Sequence, residues 1–155
     1  MHNPPRVLVL CYGNVNRSPL CAAVLRERGY STARSAGFYK AGQRAAKKTR
    51  ELAANEYELD LSQHRSSLCT HEMVHWADFI ICMGYRVRAL LFQQFPCSAL
   101  KVITWNIPDP GFLSGKDPKF AAIQDRVVTA TLEFMKWIRH TSTKQSRSAP
   151  RSSKH

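Results

Sequence analysis

The chain has 155 residues, of which 44% are hydrophobic and 22% charged, enough apolar material for one packed domain. Lys and Arg number 23 against 11 acids, a formal charge of +12. No apolar run approaches the roughly 18–20 residues of a membrane helix, and a multidomain enzyme, a collagen-like chain and a low-complexity chain are excluded as well.

In chain order, Val7-Leu8-Val9-Leu10 is a continuous apolar run, too short for a signal-peptide core. It predicts a strand buried on both faces, as in a parallel sheet. Ser18-Pro19 predicts a helix start, with Ser18 as N-cap and Pro19 in the first turn. Leu20, Val24 and Leu25 form its apolar stripe and Gly29 ends it. Residues 31–36 read as a second strand closed by Gly37, and residues 45–55 as a helix. A short helix is expected over 70–76 and a strand over 79–83. A helix over 86–95 stops at Pro96, a last strand covers 100–105, and a long amphipathic helix covers 120–138. Strands alternating with helices imply parallel pairing through right-handed crossovers. The expected fold is α/β: a small doubly wound domain with a four-stranded parallel sheet and helices on both faces.

After Arg139 the composition changes. Residues 140–155 hold four Lys/Arg and five Ser, with no acid and no large apolar residue. They are expected to form a disordered basic tail beyond a domain at 1–139. The domain keeps 19 basic and 11 acidic residues, or +8. The tail's partner would be an acidic protein, nucleic acid or anionic lipid, held weakly by charge. The five cysteines (Cys11, Cys21, Cys69, Cys82, Cys97) are odd in number and contain no Cys-x2-Cys. A zinc ribbon or a thioredoxin-type pair is therefore not expected, and no metal or cofactor is called for. Free thiols suit a cytoplasmic location.

In open parallel sheets, ligands bind beyond the carboxyl ends of the strands. The first such end here is Cys11-Tyr12-Gly13-Asn14-Val15-Asn16-Arg17-Ser18-Pro19. Gly13 and Asn14 tolerate unusual backbone angles, so the loop can turn successive N–H groups inward. The helix start adds positive potential. A phosphate-sized dianion fits this nest, and the same field favours a Cys11 thiolate. Arg17 can grip phosphoryl oxygens with two parallel N–H groups. Ser18 can hydrogen-bond the sulfur. A second Cys-x5-Arg, Cys82 to Arg88, has one Gly, no Asn and an extra charge inside. Cys82 reads better as a buried strand-end thiol.

Cys11 to Pro19 resembles the phosphate loop of the low-molecular-weight protein tyrosine phosphatases, Cys-x-Gly-Asn-x-x-Arg-Ser-Pro. Ser35-Ala36-Gly37, Asp60-Leu61-Ser62 with His64-Arg65-Ser66, Ala77-Asp78 with Ile80 and Met83, and Asp109-Pro110 resemble further family segments in the family's order. The likeness spans residues 6 to 138. It implies a phosphomonoester hydrolase acting on protein phosphotyrosine through a cysteinyl-phosphate. That chemistry needs a proton donor for the departing oxygen. Asp109, between Pro108 and Pro110 at the carboxyl edge of the sheet, is the candidate acid. Asp117 reads as a turn opener. The family also implies aromatic walls around a phenyl ring, for which Tyr12, Phe38 and Tyr39 are the candidates.

Some positions depart from the family. Arginine phosphatases of this family tend to carry Thr where Val15 stands, which leans towards phosphotyrosine. Many relatives have a second loop Cys at the position of Asn16, so oxidised Cys11 lacks its usual partner unless Cys21 serves. Gly84 stands where relatives often have an acid that orients the arginine. Gly111 and Phe112 replace tyrosines that often follow the Asp-Pro. Two rival functions remain. Arsenate reductase shares the loop but needs a further cysteine relay, and position 89 is Ala. A non-enzymatic binder of nucleic acid or acidic surfaces would use the charge and tail. The basic segment Lys40 to Arg50 reads as a solvated helix face.

Overall fold

Four short parallel strands carry the fold, seen in a computed structural model that describes residues 3–148. The elements run β1 (Val7–Leu10), α1 (Arg17–Glu27), β2 (Arg34–Ala36), α2 (Lys47–Tyr57), α3 (His71–Trp76), β3 (Phe79–Cys82) and α4 (Tyr85–Gln94). A 3-10 turn (Ala99–Lys101), β4 (Val102–Thr104) and α5 (Pro118–Ser148) follow. The strand order is β2-β1-β3-β4. β1 pairs in parallel with β2 (Val9 beside Ser35) and with β3 (Val9 beside Ile81). The expected α/β architecture is the one observed.

The period-two alternation of β1 sorts the core into two layers. Val7 and Val9 join Ile81, Leu20, Leu25, Val127 and Phe134, from α1 and α5 on one face. Leu8 and Leu10 join Ile80, Met73, Val74, Val87 and Leu91, from α3 and α4 on the other. All four β1 side chains are fully buried, each worth about 1.5–3 kcal/mol removed from water. The run is continuous because both faces are covered, and this fixes the carboxyl end of β1 deep between two helical layers.

Several boundaries differ from expectation. Ser18 does not cap α1: the helix begins at Arg17, and Asn16 at its N-cap makes no side-chain cap bond. The Ser18 hydroxyl is committed to Cys11 instead. The fourth strand is shorter than 100–105 because Ser98 Oγ accepts the Leu100 N–H and starts a 3-10 turn, which leaves Leu100 exposed. α5 starts two residues early, with Pro118 in its first turn and Asp117 Oδ1 accepting the Lys119 N–H. It also continues nine residues past Arg139, so the segment expected to be disordered from 140 is helical as far as Ser148. No Gly or Pro interrupts 119–149, and Lys144, Gln145 and Arg147 are good helix formers. Residues 149–155 of the expected tail lie outside the described residues.

Leu8→Ala is expected to cost about 2–5 kcal/mol, read as a lower urea midpoint at unchanged m-value. Leu100→Ala, on the exposed turn, should move stability by less than about 0.5 kcal/mol.

Candidate active site

β1 delivers Cys11 to the sheet edge, 2% exposed. Its Sγ accepts the Asn14 backbone N–H at 3.2 Å and lies 2.9 Å from Ser18 Oγ. Donor accounting fixes the orientation of the Asn14 amide. The Ser67 backbone N–H can only donate, and it bonds Asn14 Oδ1 at 2.9 Å. Asn14 Nδ2 therefore faces the other way and donates to Ser18 Oγ at 2.7 Å and to Ser35 Oγ at 3.0 Å. Ser18 Oγ accepts there and meets Cys11 Sγ on its other side. The Asn14 N–H and the Ser18 hydroxyl thus converge on one sulfur.

Asn14 makes this geometry possible. It sits in the left-handed region at φ 55°, which Asn tolerates better than most side chains, and it is fully buried. His64 Nε2 bonds Asn14 O at 2.8 Å, so that nitrogen carries the proton. Burial pushes the His64 pKa below its ordinary 6.5, against the opposing effect of this bond. Gly37 closes the support from β2. A Cβ there would lie 2.7 Å from Tyr12 O, and the Phe38 N–H bonds that same oxygen at 2.8 Å.

Behind the loop lies a second polar set. Gln124 Nε2 donates to Asn16 O at 3.2 Å and to Thr49 Oγ1 at 3.1 Å, and Thr49 Oγ1 donates to Asn16 Oδ1 at 2.6 Å. All three residues are buried, and Gln124 Oε1 has no partner among the described residues. Asn16 is thus tied to α2 and α5. Arg17 follows, its side chain 6% exposed. Its Nη1 donates to Met83 O, at the end of β3, and to Ile107 O at 2.8 Å. Backbone carbonyls orient the guanidinium, so Gly84 at the family's acidic position does not leave it loose.

The structure brings Asp109 to the same rim, with Oδ2 3.7 Å from Arg17 Nη2. Its Oδ1 accepts the Gly111 N–H at 2.8 Å, which leaves Oδ2 to face Arg17. Tyr12 and Tyr39 stack with centroids 5.9 Å apart, and the Arg86 guanidinium lies 4.3 Å from the Tyr12 ring centroid. Phe38 does not join them. It packs towards Phe95 (centroids 6.4 Å apart) in the core layer beneath α4. Exposed Phe112, two residues after Pro110, is an aromatic on the acid loop that the sequence reading had not taken as a wall. Val15 and Gly13 complete the loop, with a Cβ at Gly13 in ordinary contact with Val15. Cys82 is fully buried and burial pushes its pKa up to about 12. Cys21 is also buried, its pKa up to about 12, and it accepts a bond from Thr131 Oγ1. Neither is placed as an accessible relay thiol.

Thr49, Ser67 and Gln124 escaped the sequence reading. Gln124 and Thr131 did carry a signal, since both interrupt the apolar stripe Phe120, Val127, Phe134 of α5.

The family described as "Low molecular weight phosphotyrosine protein phosphatase" matches over residues 6–145. A protein-arginine-phosphatase from Geobacillus stearothermophilus is 29% identical over 120 residues, covering 76% of this chain and 78% of that protein. A probable low molecular weight protein-tyrosine-phosphatase, EpsP, from Ralstonia nicotianae is 34% identical over 112 residues, covering 67% and 77%. Among solved structures, Wzb of Vibrio vulnificus in complex with benzylphosphonate superposes with a TM-score of 0.77 at 26% identity, covering 86% of this chain and 97% of that one.

The lowered His64 pKa has a stability consequence. The fold prefers the neutral ring, so the unfolded chain binds more protons as pH falls through the ordinary value of 6.5. The stabilisation is full above that pH and is lost as pH falls towards the lower native value. Wild type is expected to lose more unfolding free energy between pH 7 and pH 5 than His64→Gln. Equal losses in urea titrations at both pH values would refute the assignment.

Proposed function

The chain belongs to the low molecular weight phosphotyrosine protein phosphatase family, and we propose that Cys11, Arg17 and Asp109 carry out its phosphoryl transfer. The observation that supports this most is the convergence of the Asn14 N–H and the Ser18 hydroxyl on Cys11 Sγ beneath a buried guanidinium, with Asp109 Oδ2 on the same rim. The loop amides of residues 12 to 18 and the Arg17 side chain form the phosphate cradle. Sγ attacks phosphorus and the P–O bond to the leaving oxygen breaks. Asp109 Oδ2 delivers its proton to that oxygen, and a cysteinyl-phosphate remains. Water then attacks phosphorus and gives a proton to Asp109, the S–P bond breaks, and inorganic phosphate leaves. Ser18 stabilises the departing sulfur by the same hydroxyl bond that holds it at rest.

The substrate is protein phosphotyrosine. Val15 offers no hydroxyl at the position where arginine phosphatases of the family tend to carry Thr. The stacked Tyr12 and Tyr39 pair supplies a wall for a phenyl ring, with Phe112 as a third aromatic on the acid side. Five unpaired thiols fit a reducing cytoplasm. Among the described residues no helix is long and apolar enough to cross a membrane. The last sixteen residues, with four cations and no acid, add a weak electrostatic hold on acidic surfaces.

Cys11→Ser is expected to abolish p-nitrophenyl phosphate hydrolysis while still binding vanadate, and Cys82→Ser to stay active. The reverse pattern would move the nucleophile to the second Cys-x5-Arg. Asp109→Ala should slow phosphotyrosine turnover by about 10²–10⁴-fold. Phosphotyrosine peptides should outrun phosphoarginine and phosphoserine peptides in parallel assays. Replacing Lys144, Arg147, Arg151 and Lys154 by Gln should lower the salt needed for elution from heparin, and unchanged elution would remove the tail from the account.

A further inference from the structure

The segment Lys40 to Arg50 reads from sequence as a solvated basic face, and Lys47 fits that description. It is exposed and pairs loosely with Glu51 at 3.8 Å. Lys48, one residue on, does not. Its Nζ donates to Pro110 O at 3.1 Å, to Gly111 O at 2.9 Å and to Leu113 O. An ammonium has three N–H groups, and here all three go to carbonyls within one four-residue stretch. That stretch follows Asp109 directly.

The stem of the lysine is fitted as closely as its head. A Cβ on Gly115 would lie 2.7 Å from Lys48 Cβ, so the loop backbone rides on the lysine stem. Nζ also lies 5.0 Å from the Phe120 ring centroid, an added electrostatic attraction. The loop needs such a tie. Residues 105–117 connect β4 to α5 without regular structure, and holding such a loop in one conformation costs backbone entropy at every residue. Its internal bonds, Asp109 Oδ1 to Gly111 N–H and Pro110 O to Leu113 N–H, shape the turn. They do not tie it to the rest of the molecule. Arg126 and Arg17 hold its start, through Asn106 O and Ile107 O. Lys48 holds the stretch after Asp109, from a helix anchored on the same side as the phosphate loop through Thr49 and Asn16.

We propose that Lys48 is a positioning residue for the proton donor. Through three carbonyl bonds it holds residues 110–113 on α2, so that Asp109 Oδ2 stays over Arg17 and in line with the leaving oxygen. This rests on the reading of Asp109 as the acid. Lys48 touches neither Cys11 nor Arg17, and its role is confined to the geometry of proton transfer.

That confinement gives a distinctive readout. p-Nitrophenolate departs as a stable anion and needs little help from an acid. Phenol and tyrosine have pKa values of about 10 and need the proton in the transition state. Loss of an acid's position therefore penalises poor leaving groups selectively. The quantity to measure is kcat/KM, which reports phosphoryl transfer to Cys11, for p-nitrophenyl phosphate, phenyl phosphate and a phosphotyrosine peptide.

Lys48→Met keeps the stem and removes the donors. It is expected to lower kcat/KM for the phenyl and tyrosyl esters by about 10–100-fold, the scale of a loop displaced by roughly 1 Å. It should lower the p-nitrophenyl value by less than about threefold, with vanadate inhibition unchanged. Lys48→Arg guards against a Met variant that fails to fold. Its planar fork cannot converge three donors on one point, so the same two substrates should suffer by a smaller factor. Equal losses on all three esters with weakened vanadate inhibition would make Lys48 merely structural and overturn the proposal, as would no loss on any. Asp109→Asn is the reference arm. If it lacks the leaving-group dependence, the acid assignment fails. If it shows the dependence and Lys48→Met does not, the positioning role alone fails.

Discussion

The loop geometry depends on one buried residue in an unusual backbone conformation. Asn14 turns left-handed, and that turn aims its own N–H at Cys11 Sγ. The conformation is costly for a side-chain-bearing residue in isolation. It persists because every polar group of Asn14 is engaged: the N–H by sulfur, the backbone oxygen by His64, the side-chain oxygen by Ser67, the side-chain nitrogen by Ser18 and Ser35. These partners come from α1, from β2 and from the stretch before α3. A residue with a different side chain would leave several buried groups unpaired, each at about 1–3 kcal/mol.

The same logic of assigned donors extends outward. Arg17 is aimed by two backbone carbonyls, Met83 O just after β3 and Ile107 O in the loop after β4, so its other nitrogen is left facing the rim. Carbonyls do not titrate, and the guanidinium takes its orientation from the backbone. Asn16 is held from behind by Thr49 and Gln124. These contacts build the loop from several elements at once, with α1, α2 and α5 behind it and β2 beside it.

The five thiols illustrate how position sets chemistry. Cys21 and Cys82 are as buried as any core residue, and burial raises their pKa values to about 12, for Cys82 against the opposing charge of Arg88. Cys11 is nearly as inaccessible, yet its sulfur lies against a backbone N–H and a hydroxyl. The spacing Cys-x5-Arg occurs twice in the chain. Local spacing alone does not distinguish a nucleophile from packing material; the donors around the sulfur do.

The sequence by itself determined the strand and helix alternation, because a doubly buried strand must be apolar throughout and its helices must show a stripe. It also made residues 11–18 legible as a candidate anion site, since a cysteine, a Gly-Asn turn and an arginine lie within one short stretch. Asp109 was legible through its two prolines and its place after the last strand. Tertiary structure alone decided the rest. That Tyr39 and not Phe38 faces the loop depends on which side of β2 the chain leaves. That Ser18 serves sulfur and not its helix follows from an amide turned by Ser67, more than fifty positions away. That Lys48 is spent on three carbonyls while Lys47 is solvated depends on where a loop sixty residues distant comes to rest. Donor and acceptor matching over such separations is a property of the packed chain, and no local pattern encodes it.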